Sequence, residues 1–268
     1  NLQQIPARNK DLGPLIRSLF IPESGCEWGC FDYSQQEPRL VVHFAATTTG
    51  IKEDPSVKEI VENYANNDID FHKTVSDMAG INRFQAKTIN LGLFYGMGKA
   101  KLQAELGLST KQEAEELFNK YHDRVPFVRD LMNETSRWAS REGEIRTLLG
   151  RGCRFDKWEP AQFGMHTPMT WEDAVKKYGE NRIRRAFTYK ALNKLIQGSA
   201  ADMTKKSMLD LYKEGIIAHI QIHDELDLSV ESKEQADKII EIMENAVKLA
   251  VPNKVDYESG KTWGDIYG

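Results

Sequence analysis

The sequence predicts an α+β protein in which a helical insertion sits inside a sheet domain. Three observations carry this. The run from Cys26 to Tyr33 is apolar and aromatic and reads as a strand ending at Asp32. Residues 216–230 alternate apolar and polar, with Ile220 and Ile222 and then Leu226, Leu228 and Val230, which fits two strands joined by a tight turn. Between these two regions most of the chain has helical spacing with recognisable start signals.

Taken in order, residues 14–33 read as strand material interrupted by a turn at Pro22, Ser24 and Gly25. After a polar turn, residues 35–48 continue as a helix, with Pro38 confined to its first turn. Pro55, another first-turn proline, opens a short helix over 55–64. Residues 83–106 hold a helical pattern broken around Gly96–Gly98. Thr110-Lys-Gln-Glu113 fits a capping box and starts a long helix that stops near Pro126, with Ser109 as the neighbouring alternative cap. A further helix covers 127–142. From Arg141 to Pro168 the chain is rich in Gly, Pro and aromatic residues, with Gly150 and Gly152 as turn signals. Thr170 to Asp173 is a second capping box, followed by a short acidic-then-basic helix, and 182–213 form the next helical block. The turn between the alternating strands falls at Asp224-Glu225. Residues 233–250 form an amphipathic helix with Ile239, Ile242, Met243, Ala246 and Leu249 on one face. A last strand lies around Val255–Tyr257. There is no internal repeat and no low-complexity segment.

Composition narrows the class. The 268 residues carry 36 Lys+Arg against 40 Asp+Glu, a formal net charge of −4, with 40% hydrophobic and 28% charged residues. That balance excludes wholesale disorder and a collagen-like chain. The length suits one large domain or two intertwined ones with a real core. No stretch approaches the ~18 apolar residues of a membrane span, and no basic-then-apolar signal opens the chain. Three cysteines without a CxxC pair argue for a reducing compartment. Mild acidity excludes a uniformly basic nucleic-acid glue but not a local basic groove. The chain opens on Asn1 without a methionine, as expected of a fragment or a processed product.

Two acidic positions carry candidate chemistry. Asp32 closes an apolar strand, an expensive place for a carboxylate; it reads either as a turn or cap residue or as a metal ligand on a rigid element. Asp224 sits with His223 and Glu225 at a hairpin tip, where Asp also serves turn geometry alone. If both strands share one sheet, the two carboxylates can meet at its edge, hold two Mg²⁺ ~4 Å apart and run an in-line phosphoryl displacement. Mg²⁺ suits few carboxylates with phosphate oxygens completing its shell. The most informative segment is Arg83-Phe-Gln-Ala-Lys87-Thr-Ile-Asn-Leu91-Gly-Leu-Phe-Tyr95-Gly. Arg83, Lys87, Leu91 and Tyr95 recur every four residues and form one helical stripe. Two cations, then an apolar residue, then an aromatic one match a triphosphate, a sugar and a base. An amphipathic helix with snorkelling cations gives the same periodicity.

Asp32-Tyr-Ser-Gln-Gln-Glu37-Pro-Arg39, the Arg83–Gly96 segment and Ile222-His-Asp-Glu225 resemble motifs A, B and C of family A DNA polymerases, in that order. Asn1-Leu-Gln-Gln-Ile-Pro-Ala-Arg8, Asp70-Phe-His72, Gln197-Gly-Ser-Ala-Ala-Asp202 and Thr262-Trp263-Gly resemble further stretches of the same family, so the resemblance covers essentially the whole chain. Its flavour is that of a phage replicative enzyme. The resemblance implies an antiparallel palm sheet flanked by helices, with an inserted helical fingers subdomain, a right-hand polymerase without its thumb and without a 3′–5′ exonuclease. The palm would occupy 1–50 with motif A, the fingers 51–185 with motif B, and the rest of the palm 186–268 with motif C.

Roles follow from the resemblance position by position. Asp32 and Asp224 would hold two Mg²⁺, with Mn²⁺ able to substitute, and Glu225 would assist them. Lys87, Arg83 and His72 would grip the triphosphate of the incoming dNTP, Lys87 also protonating the leaving pyrophosphate. Leu91 would pack on the sugar and Tyr95 beside the nascent base pair. Glu37, flanked by Gln35, would exclude a 2′-hydroxyl. Arg8, Asn193 and Gln197 would read minor-groove acceptors common to every correct pair, and His223 would touch the primer terminus. The partners implied are primer-template DNA and dNTPs, together with an upstream thumb or exonuclease region or a processivity factor, in the cytoplasm of a bacterial or phage-infected cell and with no membrane.

The chain departs from the family pattern in places. Leu91 stands where an aromatic residue is usual and loses its flat surface. Gln36 and Pro38 replace an apolar pair, and Phe84 takes the place of a common second arginine. Basic residues cluster at Arg141, Arg146, Arg151, Arg154 and Lys157 and at Arg182, Arg184, Arg185, Lys190 and Lys194, which fits either a phosphate-tracking groove or mixed solvated faces. Cys26 and Cys30 read as small strand hydrophobes, and Trp138, Trp158, Trp171 and Phe187 as packing residues. The alternative function is a non-catalytic polymerase-like DNA-binding module. An HD-type phosphohydrolase would need His223-Asp224 on a helix, and a single-subunit RNA polymerase is disfavoured by Glu37 and the His-Asp-Glu triplet.

Overall fold

The structure is a computed structural model describing residues 5, 9, 11–66, 70–94, 99–162 and 164–266. In chain order its elements are α1 (Leu12–Arg17), β1 (Glu27–Tyr33), α2 (Gln36–Thr47), α3 (Pro55–Asn66), α4 (Phe71–Ala79), α5 (Arg83–Phe94), α6 (Lys99–Leu106), α7 (Lys111–Arg124) and α8 (Pro126–Glu142). There follow β2 (Glu144–Arg146), β3 (Gly152–Arg154), β4 (Trp158–Pro160), α9 (Trp171–Tyr178), β5 (Ile183–Arg185), α10 (Ala191–Lys213), β6 (Ile220–Ile222), β7 (Glu225–Val230), α11 (Lys233–Asn245), β8 (Val255–Gly260) and α12 (Trp263–Ile266). They form two compact units, one made of Asn1–Arg39 with Ala200–Gly268 and the other of Leu40–Ser199. The chain is therefore α+β. Among the described residues no helix is long and apolar enough to cross a membrane.

The first unit is built on an antiparallel sheet of order β6-β7-β1-β8. Strand alternation sorts its residues to two faces. Phe31 and Tyr33 of β1, with Leu226 and Leu228 of β7, are buried. Phe31 stacks on Tyr257 of β8, ring centroids 4.7 Å apart. The Tyr33 hydroxyl lies 2.6 Å from Ser207 Oγ of α10 and donates to the Met243 carbonyl of α11 at 2.5 Å, tying this face to those helices. On the opposite face, Trp28 and Cys30 cluster with Ile220 and Trp263. Trp263 of α12 also packs edge-on against Phe20 at 5.3 Å. Gly264 is required here, since a Cβ would fall 2.4 Å from the Pro14 carbonyl oxygen and 2.7 Å from the Ser18 amide of the α1 segment.

The second unit is mainly helical. Start signals act as the sequence predicts: Thr110 accepts from the Glu113 amide and Thr170 from that of Asp173. Ala139, Ile145, Phe155, Ala191 and Leu195 form one core cluster.

Several expectations need correction. The segment from residue 14 does not begin as strand; Leu12–Arg17 is helical, with Asn9 Oδ1 accepting from the Asp11 and Leu12 amides, and Pro14 tolerated in the first turn. Helix α4 was not foreseen, although Asp70 caps it and Gly80 closes it in the left-handed region. The block over 182–213 is not wholly helical: Ile183–Arg185 is a strand paired with Trp158–Pro160, and α10 starts only at Ala191. The Arg141–Pro168 region holds three short strands, β2, β3 and β4. The hairpin turn is His223-Asp224, one residue earlier than expected, because Ile222 pairs with Glu225. Helix α11 ends at Asn245 rather than 250, where Asn253 Nδ2 donates to the Glu244 and Val247 carbonyls and draws the chain out of the helix. The expected break at Gly96–Gly98 lies outside the described residues.

Candidate active site

The acidic end of the sheet follows from register. Asp32, the sixth residue of β1, is paired with Glu225 of β7 on one side and Asp256 of β8 on the other. Cys30, two residues back on the same face, is paired with Asp227 and Glu258. Asp224 lies in the two-residue turn entering β7, and the Tyr33 amide donates to its carbonyl at 3.3 Å. Asp32 and Asp224 thus meet at one end of the paired β1 and β7. His223 (φ 52°) and Gln35 (φ 55°), flanking these carboxylates in the chain, are both non-glycine residues in the left-handed region. Such backbone is sparsely populated and held only by its surroundings. Glu37 follows in the first turn of α2.

This crowding shows in the acidities. Burial, then Asp224, Glu225, Asp256 and Glu258, push the Asp32 carboxyl up to about 7. Burial also raises Asp224, with its own backbone amide and His223 opposing. Asp227, fully buried, is raised by burial as well. Burial followed by the Asp227 charge drives the Cys30 thiol far up, so it remains a thiol, in keeping with a small strand hydrophobe. One oxygen of Asp32, Oδ1, is buried without a hydrogen-bond partner among the described residues. A carboxylate oxygen desolvated in that way, amid further carboxylates, fits a hard divalent cation with oxygen ligands.

The second set lies in the helical unit. Asp70 caps α4, its Oδ1 accepting from the His72 amide at 2.9 Å and the Lys73 amide at 3.1 Å. Its Oδ2 accepts from Arg83 at 2.6 Å, so one side chain orders the start of α4 and the first residue of α5. Burial works against Asp70 ionisation, but the Arg83 guanidinium and the two amides overcome it and lower its pKa. Lys87 is exposed one turn further along α5. His72 is buried, with Nδ1 3.0 Å from Asn90 Nδ2. Burial lowers its pKa to about 4, Asp70 opposing while Lys87 and Arg83 assist. Arg83, Lys87 and His72 therefore share one two-helix element. Leu91 belongs to α5, but its side chain lies outside the described residues, as does Tyr95.

Asn193 and Gln197 stand one turn apart on α10, Gln197 exposed and Asn193 half-buried with Nδ2 lacking a partner among the described residues. Behind them the chain is tightly fitted. A Cβ on Gly198 would fall 2.6 Å from Thr147 Cγ2, and the Leu148 amide donates to Ser199 Oγ at 3.0 Å. Arg8 lies outside the described residues. Of the basic clusters, Arg141, Arg146 and Arg184 pair with Glu142, Glu144 and Glu159, whereas Arg154, Lys157, Lys190 and Lys194 have no acidic partner among the described residues. Trp171 and Phe187, expected to pack, are 42% and 37% exposed. Sequence reasoning missed Asp256 and Glu258, whose spacing of two puts them on the Asp32 face, and the roles of Asp70, Asn90 and Tyr121. The Asp70 signal was an N-cap residue ahead of an apolar Phe71 and Val75; Asn90 and Tyr121 carried none.

The chain is similar to known DNA polymerases. The family model described as DNA polymerase family A matches residues 1–265. The chain is 34% identical over 305 residues to a DNA-directed DNA polymerase of Pseudomonas phage M6, covering 100% of this chain and 42% of that protein. It is 35% identical over 286 residues to DNA polymerase I of Bacillus caldotenax, covering 99% and 29%. Among solved structures it is similar to the POL domain of Pol1 from M. smegmatis in complex with DNA primer-template and dNTP, with a TM-score of 0.78 and 28% identity over 100% of this chain and 45% of that one. The chain thus spans less than half the length of these relatives.

Proposed function

Because the chain belongs to DNA polymerase family A, we infer that it extends a primer 3′ end with deoxynucleotides directed by a template strand. The observation that carries this is the meeting of Asp32 and Asp224 at one end of the β1–β7 pair, with Glu225 opposite Asp32 and Asp32 Oδ1 buried without a hydrogen-bond partner among the described residues. Asp32 and Asp224 are the residues that would hold Mg²⁺, or Mn²⁺ in its place. Two such ions, when bound, acidify the primer hydroxyl and neutralise charge on the reacting phosphate. The sheet-bearing unit serves as the palm and the helical unit as the fingers.

The chain's own side chains bind and orient. Arg83, held by Asp70, and Lys87 offer positive charge to the triphosphate, and Lys87 protonates the leaving pyrophosphate. His72 adds a neutral donor. Leu91 packs on the sugar, Tyr95 beside the base pair, and Glu37 with Gln35 excludes a 2′-hydroxyl. Asn193, Gln197 and Arg8 contact the minor groove, and His223 the primer end. Primer-template DNA and dNTPs are the substrates, the cytoplasm of a bacterial or phage-infected cell is the setting, and a thumb or exonuclease region or a processivity factor is the expected partner. Arg154, Lys157, Lys190 and Lys194, without an acidic partner among the described residues, suit a phosphate backbone.

Primer extension with Mg²⁺ and four dNTPs, beside Asp224→Asn, tests the reading. Extension by the wild type alone is expected. Binding of primed DNA without any extension, at low salt and with enzyme in excess, would favour the non-catalytic DNA-binding module instead.

A further inference from the structure

A buried hydrogen-bond chain runs through the helical unit from Tyr121 to Asn90 to His72. Tyr121 of α7 and Asn90 of α5 are both 0% exposed. The Tyr121 hydroxyl donates to Asn90 Oδ1 at 2.5 Å, and Asn90 Nδ2 stands 3.0 Å from His72 Nδ1. The direction of this chain follows from what each group can do. A buried phenol must place its hydrogen on an acceptor, and Asn90 Oδ1 is the acceptor it has among the described residues. Turning the amide over would set N–H groups against the Tyr121 oxygen and strand the phenol hydrogen. The amide therefore shows its oxygen to Tyr121 and its NH₂ to His72. An NH₂ group only donates, so His72 Nδ1 accepts, and in the neutral ring the proton sits on Nε2. His72 Nε2 makes no hydrogen bond among the described residues.

We propose that Asn90 and Tyr121 are positioning residues that lock His72 in its Nε2–H tautomer, so that the ring presents an N–H donor to a phosphate oxygen of the incoming nucleotide. This rests on the polymerase reading above, which places the triphosphate at His72. The opposite tautomer would aim a lone pair at the phosphate and repel it. The lock matters because the ring is uncharged: burial, Lys87 and Arg83 hold its basicity low against the single opposing charge of Asp70. A protonated ring would donate from both nitrogens whatever its neighbours did. Protonation of Nδ1 would also set an N–H against the Asn90 NH₂, so the same chain favours neutrality.

The test is histidine ¹⁵N NMR on the full chain, with the His72 signals assigned by their loss in His72→Gln. In the wild type at neutral pH, Nδ1 should be unprotonated and Nε2 protonated; in Tyr121→Phe, which removes only the hydroxyl, a mixture of tautomers should appear. In steady-state extension, Tyr121→Phe should raise the dNTP KM about three- to tenfold, with kcat changed less than about twofold, as expected for weakening one hydrogen bond. In a His72→Ala background the same substitution should change KM no further, because Tyr121 acts through the ring. An Nδ1–H or protonated ring in the wild type would overturn the proposal. So would an equal KM effect of Tyr121→Phe with and without His72, which marks a purely structural role. A wild type with the Nε2–H ring whose signal does not move on adding dNTP to the primed complex would overturn the polymerase reading's placement of the nucleotide, and with it the ligand named here.

Discussion

Asp32 of β1 stands directly opposite Glu225 of β7 in the antiparallel register. With Asp256 opposite on the other side, the end of the sheet concentrates negative charge around Asp32. An aspartate in an unfolded chain ionises near ~3.9, whereas Asp32 holds its proton to about 7. Between those values the folded state binds more protons, so this group's contribution to stability is lost as pH rises through the window. Metal-free protein should therefore be less stable at pH 8 than at pH 5.5 on account of this site. Asp32→Asn should raise the melting temperature in EDTA at pH 8 by a few degrees, since ~1 kcal/mol moves a protein of this size by roughly 2–4 °C. Mg²⁺ should stabilise the wild type and leave the variant little changed. Calorimetry with and without Mg²⁺ checks both; an Asp32→Asn protein that melts lower in EDTA would count against the crowding.

Asp70 has two separable duties, capping α4 and anchoring Arg83. Asparagine caps as well as aspartate does but has no charge. Asp70→Asn should keep stability within about 0.5 kcal/mol, as the ion pair is exposed, and raise the dNTP KM. Asp70→Ala should lose about 1 kcal/mol as well. Denaturant melts beside steady-state kinetics distinguish the two duties.

Gly264→Ala should cost about 1–3 kcal/mol, since the new Cβ runs into backbone atoms of the α1 segment rather than a movable side chain. At temperatures where the variant remains folded, kcat should be unchanged. A neutral effect on the urea midpoint would show that α1 and α12 can separate.

Glu37→Ala should admit ribonucleotides, raising their kcat/KM relative to dNTPs by about 10-fold or more. Single-nucleotide incorporation with dNTP and rNTP lanes measures this ratio. An unchanged ratio would remove Glu37 from sugar selection.

Much of the fold was legible in the residues themselves. Thr110 and Thr170 announce their helices, Pro38 and Pro55 sit in first turns, Pro126 marks the end of one helix, and the alternation around Leu226 declares a hairpin. These signals act within a turn or two of backbone, where caps and ring geometry decide locally. The misreadings are of another kind. Ile183–Arg185 becomes a strand because Trp158–Pro160, 25 residues away at its centre, offers a partner. The Arg141–Pro168 region looks irregular for the same reason.

By itself the sequence determined the starts of the helices at Pro55, Thr110 and Thr170, the presence of the hairpin, the order of the three motifs and hence the family. Only the tertiary structure decided that Asp256 and Glu258 share the face of Asp32, that Asp70 holds Arg83 13 residues on, and that Tyr121 reaches His72 through Asn90. Cross-strand register and buried hydrogen-bond partners are long-range choices. They are made by which surfaces can be desolvated together with every polar group satisfied, and no local window of sequence contains that comparison.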